Sequence, residues 1–184
     1  MKRYTRCALS SSLLLLAALV AAVPAAAAGE GRGTDLFGGY SYADLDEVSR
    51  HGGNLALGFD LFGPLSGFVD TSFHWGSTEG TNLSDLTLMA GPGVRFGKRG
   101  GTVFFLRALA GLVSDKASIA VLDVDISETS QRFGVLAGGG VDFRVSGSLA
   151  ARVQGDYLWN DVELGSSSGF RVSAGVVYRF GSAR

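Results

Sequence analysis

Cysteine is nearly missing from this chain of 184 residues, which holds only Cys7. Cys7 precedes the apolar stretch Leu13 to Val23, on the wrong side of it to serve as a lipid acceptor. A long hydrophobic run is missing too. Leu13 to Val23 falls short of the roughly 20 residues of a spanning helix, and Pro24 ends it. Lys2, Arg3 and Arg6 stand ahead of that stretch and Ala26-Ala27-Ala28 behind it, so residues 1–28 read as a signal peptide cut before Gly29. The remainder, 29–184, has no cysteine, which excludes disulfides, thiol catalysis and thiolate metal sites together. A basic excess is absent as well: without the leader, Lys plus Arg falls from 16 to 13 against 17 acidic residues, a net charge of −4. That charge excludes a nucleic-acid partner. Finally, no stretch after the leader sustains an apolar period of 3.6, and all 28 glycines lie there. Glycine costs a helix about 1 kcal/mol per position relative to alanine, so the composition leans to β-structure in a single domain.

What is present is alternation, in stretches of about ten residues, the signature of membrane barrel strands. Phe170, Val172, Ala174, Val176, Tyr178 and Phe180 alternate with Arg171, Ser173, Gly175, Val177 and Arg179. The first strand, about 34–43, places Leu36, Tyr40 and Tyr42 on one face. Leu55, Leu57, Phe59 and Leu61 oppose Asn54, Ala56, Gly58 and Asp60; Val69, Thr71, Phe73 and Trp75 oppose Asp70, Ser72 and His74. Three further stretches put Arg95, Arg107 and Arg132 with Asp142 on the polar face, and a seventh does so with Arg152, Gln154 and Asp156. Eight strands result, and the even number returns both ends of the barrel to one side. Short connections at 62–66, 97–101 and 144–148 alternate with longer ones near 44–53, 76–84, 113–131 and 160–168. Short turns on the periplasmic side and long loops outside are what an outer-membrane barrel requires. Pro92, between Gly91 and Gly93, cannot donate to a ladder and is expected to mark a bulge.

The segments DLFGGYSYADLD (35–46), AGPGVRFG (90–97), LAGGGVDFRVSGSLAARVQGDYL (136–158) and FRVSAGVVYRFG (170–181) resemble the small outer-membrane β-barrel domain family, often labelled a porin family. Its members include the OmpA-like transmembrane barrels. The resemblance implies an all-β, eight-stranded antiparallel up-and-down transmembrane barrel in the Gram-negative outer membrane, surrounded by lipid and lipopolysaccharide. It also implies that Tyr178 and Phe180 form the recognition signal for the barrel-assembly machinery, although Gly181 to Arg184 extend beyond them. The peptidoglycan-binding domain of larger members has no counterpart in this sequence, and no cofactor motif is present.

On the polar face, Asp60, Asp70, Asp142 and Asp156 meet Arg95, Arg107, Arg132, Arg152, Arg171 and Arg179. Buried charges need partners, so both signs at similar depth predict an internal ion-pair network. An eight-stranded barrel is only wide enough for side chains, which favours a plug over an ion path. The reading is therefore a closed, monomeric structural or interaction barrel, with a narrow passive channel as the alternative. A soluble ligand barrel of the lipocalin kind would invert the faces. His74 beside Asp70, with Ser72 or Ser77 near, permits a third reading as a lipid A hydrolase, while His51 is expected in a solvated loop. The segment ASIAVLDVDISE (117–128) suggests that strands five and six continue outward as a hairpin. The region 113–131 is the first candidate for an extracellular partner. Asp123 and Asp125 there are too few for a calcium loop.

Overall fold

The computed structural model of the protein describes residues 33–45, 48–78, 81–97, 101–121, 124–162 and 165–180. The expected leader, the tail from Gly181 and the centre of the turn at 98–100 lie outside the described residues. Eight strands follow one another: β1 (Thr34–Leu45), β2 (Val48–Phe62), β3 (Leu65–Thr78), β4 (Thr81–Gly97), β5 (Thr102–Val121), β6 (Val124–Ser146), β7 (Leu149–Val162) and β8 (Gly165–Phe180). Each pairs antiparallel with the next, and β1 pairs with β8 from Thr34↔Phe180 to Leu45↔Gly169, closing the barrel.

The period of two sorts side chains into two solvents. Phe104, Leu106, Phe133, Val135, Val153, Phe170, Val172 and Val176 are each more than 40% exposed on the outside. Their neighbours Phe105, Arg107, Leu136, Arg152, Arg171 and Val177 are at most 3% exposed inside. Apolar side chains facing out over most of the wall, with charges enclosed, is the arrangement hydrocarbon selects, and it is opposite to that of a soluble ligand barrel.

At one end the chain turns tightly. Gly63 of the β2–β3 turn has φ 57°, a left-handed conformation that glycine adopts without a Cβ penalty. The register shifts lie here, between Asp60 and Phe62 and between Arg144 and Ser146. The bulge expected at Pro92 is not found. Gly67 pairs with Pro92 in an unbroken β3–β4 register. Toward β5, the pairs Ala90↔Ala110 and Gly93↔Arg107 keep one register across the gap at Gly91 and Pro92. Pro92 points outward, so its missing N–H interrupts the ladder locally without an extra residue.

At the other end, the expected long loops are mostly strand. β1–β2, β3–β4, β5–β6 and β7–β8 pair up to Leu45↔Val48, Thr78↔Thr81, Val121↔Val124 and Val162↔Gly165. Threonine, serine and β-branched residues in these segments suit a pleated ribbon, so hairpins grow where loops were expected. A spanning strand needs about 9–11 residues. β5 and β6, with 20 and 23, rise well past the barrel wall.

Candidate functional site: a charged and apolar lumen

Inside the barrel the charged side chains form three groups along its axis. The central one is a closed ring of alternating sign. Arg171 reaches Asp70 at 2.9 Å and Asp156 at 2.8 Å, while Arg107 reaches Asp70 at 3.0 Å and Asp156 at 2.9 Å. All four side chains are inaccessible to solvent. The Arg107–Asp156 and Arg171–Asp156 contacts each use Nε and Nη2, the fork that guanidinium offers a carboxylate. The Arg107 Nη1–Asp70 Oδ2 contact lies off the hydrogen-bond axis and is coulombic only. Asn54 donates to Asp70 at 3.0 Å and accepts from Gln154 at 2.8 Å, tying the ring to β2 and β7. Two arginines and two aspartates leave the ring neutral, which burial requires.

Toward the tight turns, Arg152 donates from Nε and Nη2 to Asp142 at 2.6 and 2.9 Å and to Asp35 at 3.3 Å. Arg95 joins Asp35 at 3.0 Å and Asp60 at 3.4 Å, and Arg179 joins Asp142 at 2.8 Å. Arg152 lies over the Phe105 ring at 4.5 Å and Arg95 over Phe68 at 4.8 Å, so aromatic faces fill the space between guanidinium planes. The wall makes room for these pairs with glycine. A Cβ on Gly58 would meet Arg95 and Asp35, and one on Gly138 would meet Asp156.

Toward the tall hairpins, Arg50 binds Asp85 at 3.0 Å and approaches Asp115 at 3.8 Å, with Arg132 3.5 Å from Asp115. His74 sits below this group. Its expected partners are corrected here: Nδ1 lies 3.0 Å from Asp85, not Asp70, and Nε2 lies 2.9 Å from Ser41, not from Ser72 or Ser77. Asp70 is drawn to the arginines of the ring, and Ser72 bonds Thr87 at 2.7 Å and Arg171 at 2.9 Å. Ser41, His74 and Asp85 stand in the order of a hydrolase triad. All three are at most 1% exposed, however, and Ser173 also donates to Ser41 at 3.0 Å. His51, expected in a solvated loop, lies instead on β2, hydrogen-bonded to Tyr40 on the outer face.

The lumen is also less polar than alternation suggested. Ala43, Leu45, Met89, Leu109, Val113, Leu136 and Leu158 are buried together inside it. Of the expected site residues, Asp70, Arg107, Asp156 and Arg171 meet in the ring; Asp60, Arg95, Asp142, Arg152 and Arg179 meet near the turns; Arg132 stands apart at the opposite rim. Asp35, Arg50, Asp85 and Asp115 were missed. Asp35 alternates with Leu36 one residue inside β1, so parity alone could have found it. Arg50, Asp85 and Asp115 lie on β2, β4 and β5 beyond the stretches where apolar alternation is clear. Tyr178 and Phe180 pack edge to face, 4.8 Å apart, at the end of β8.

A closed antiparallel eight-stranded barrel with an apolar exterior and an enclosed charge network defines a transmembrane β-barrel protein. The chain belongs to the outer membrane protein beta-barrel domain family, whose model matches residues 13–180. Membership places it in the outer membrane of a Gram-negative cell. It is similar to Neisserial surface protein A, with 18% identity and a TM-score of 0.58, over 81% of this chain and 97% of that one. It is also similar to Ail, the attachment invasion locus protein of Yersinia pestis, solved with the heparin analogue sucrose octasulfate, with 16% identity and a TM-score of 0.60, over 81% of this chain and 99% of that one. The N-terminal barrel of Pseudomonas aeruginosa OprF aligns at 16% identity and a TM-score of 0.51, over 81% and 97% of the two chains. At such identities the likeness is one of fold. No curated protein matches the chain by sequence.

Proposed function

We propose that this protein is a sealed outer-membrane barrel that works as a structural and interaction protein, its lumen plugged and its outward hairpins forming the working surface. The observation that carries the first part is the Arg107–Asp70–Arg171–Asp156 ring, whose members leave no exposed side-chain surface. Opening it would strand charges in a low-dielectric interior, at several kcal/mol per ion. The apolar group around Met89, Leu109, Leu136 and Leu158 adds a second barrier to ions. A narrow channel is the rival reading, and planar-bilayer recording of the purified protein separates the two. A stable unitary current rejects the plug.

Attachment, from which Ail takes its name, accords with a working surface above the membrane. The Ser41–His74–Asp85 arrangement is assigned a structural role, because a lipid ester has no approach to a serine at 0% exposure. In this reading residues 1–28 are a secretion signal removed before Gly29. The mass of the protein extracted from membranes tests that cut. Tyr178 and Phe180 then present the closing strand to the barrel-assembly machinery, and truncation before Tyr178 is expected to abolish insertion.

A further inference from the structure

Gln154 is buried with half of its amide unused. Its Nε2 donates to Asn54 at 2.8 Å, while among the described residues no donor reaches its Oε1. A buried carbonyl without a donor is costly. Across β7 and β8 its register partner is Ser173, also buried and facing inward. Residues opposed in this way hold their Cβ atoms about 4.5–5.5 Å apart, so the Ser173 hydroxyl is a neighbour of the Gln154 side chain. Yet Ser173 donates elsewhere, to Ser41 at 3.0 Å.

The reason lies at the far end of a relay. The Asp85 carboxylate can only accept, so Nδ1 of neutral His74, 3.0 Å away, carries the ring proton. Nε2 is then a bare acceptor and takes the Ser41 hydroxyl at 2.9 Å, which leaves Ser41 to accept from Ser173. Every hydrogen in Ser173–Ser41–His74–Asp85 thus points toward Asp85 and away from Gln154. A second proton on His74 removes the cause of that order. Nε2–H then donates to Ser41, the Ser41 hydroxyl turns to Ser173, and the Ser173 hydroxyl is released toward Gln154 Oε1.

Going beyond the plug, we infer that His74 is a proton-operated switch, whose protonation reverses the Ser41 and Ser173 hydroxyls and gives Gln154 the donor it lacks. Histidine is the side chain suited to take up a proton in mild acid. The charged groups around it are Asp85 on β4 and Arg50 on β2, with Asp115 on β5 and Arg132 on β6 behind them at the rim. On the side of Ser72 stand Arg171 on β8 and Asp70 on β3, both members of the ring. Arg50 and Arg132 balance Asp85 and Asp115, so the added proton gives this outer group one positive charge. At the other end Asn54 links Gln154 to Asp70, donating at 3.0 Å. External acid therefore braces the ring, because Gln154 is then held at both ends of its amide.

Nuclear magnetic resonance of the folded protein in lipid nanodiscs, with nitrogen-15 in histidine and glutamine, tests the switch. His51→Phe and Gln131→Ser strip away the signals of the chain's other histidine and glutamine. Near neutral pH, His74 is expected to carry its proton on Nδ1 with Nε2 bare. As the pH is lowered, Nε2 should gain a proton and the Gln154 carboxamide signals should shift with the same midpoint. In Ser173→Ala the His74 ring should still titrate, while the Gln154 signals stay in place. A merely structural triad leaves Gln154 indifferent to His74. Four results overturn the proposal: a neutral His74 protonated on Nε2, a His74 that takes no proton while the barrel stays folded, Gln154 signals that ignore the His74 midpoint, or a Gln154 response that persists in Ser173→Ala. The first three need no substitution in the relay, so they stand even if Ser173→Ala fails to fold.

Discussion

Arg171 and Asp156 are register partners across β7 and β8, and their side chains meet inside the barrel at 2.8 Å. The pair lies on adjacent strands, but each member also reaches further: Arg171 to Asp70 on β3, Asp156 to Arg107 on β5. One local register thus fixes one corner of a ring that spans the lumen.

Removing one member of that ring should cost more than removing an opposed pair. Arg171→Met is expected to destabilise by about 3–5 kcal/mol, because Asp70 and Asp156 keep their charges with half their partners. Adding Asp70→Leu should recover much of that loss, since the Arg107–Asp156 pair remains neutral. Urea unfolding of the folded protein in detergent, with the double-mutant cycle, measures it. Equal loss in single and double variants would count against charge balance as the cause.

The plug has two layers, and they predict a specific conductance pattern. Arg107→Ala/Arg171→Ala removes the ring's cations but leaves Met89, Leu109, Leu136 and Leu158 in place. That variant should remain silent in planar bilayers. Current is expected only when Leu109→Ala and Leu136→Ala are added. A conducting arginine double variant would show that the apolar layer seals nothing.

Gly138 and Gly147 should respond oppositely to a side chain. A Cβ at Gly138 would lie 2.7 Å from the Asp156 Cα, whereas one at Gly147 meets nothing within 4 Å. Gly138→Val is expected to cost about 1–3 kcal/mol through overpacking, while Gly147→Ala should stay within about 0.5 kcal/mol. Refolding yield into vesicles and the unfolding midpoint report both.

His74→Ala should weaken the barrel and leave lipid untouched. Losing a buried donor–acceptor between Ser41 and Asp85 costs about 1–3 kcal/mol. Purified lipid A incubated with the native protein should keep all its acyl chains. Deacylation that disappears in the variant would restore the hydrolase reading.

Depth along the outer face can be read with arginine. Ala108 faces outward six residues into β5, and Phe104, 47% exposed, lies nearer the tight turns. Ala108→Arg is expected to cost about 2–4 kcal/mol and Phe104→Arg markedly less, since the penalty falls toward the interface. Equal costs in lipid vesicles would mean that the membrane lies elsewhere on the barrel.

Alternation along the chain determined by itself the number of strands, their direction and which side chain of each neighbouring pair faces lipid. A period of two is local, and it survives as long as each strand is continuous. Arg95, Arg107, Arg152 and Arg171 could be placed inside from parity with Phe96, Leu106, Val153 and Val172. Strand ends were not legible in the same way. Serine, threonine and aspartate near 48–53, 76–85 and 115–130 suit loops and solvated ribbons alike, so the sequence does not place Arg50, Asp85 and Asp115 in the wall. Adjacent-strand register sets pairs such as Asp156 with Arg171 and Asp142 with Arg152, but only closure of the barrel decided who pairs across the lumen. Asp70 and Arg171 are 101 residues apart, and β3 meets β8 only across a lumen that exists once β1 has joined β8. The β3–β4 register sets His74 opposite Asp85, while the curved wall brings Ser41 of β1 to its other nitrogen.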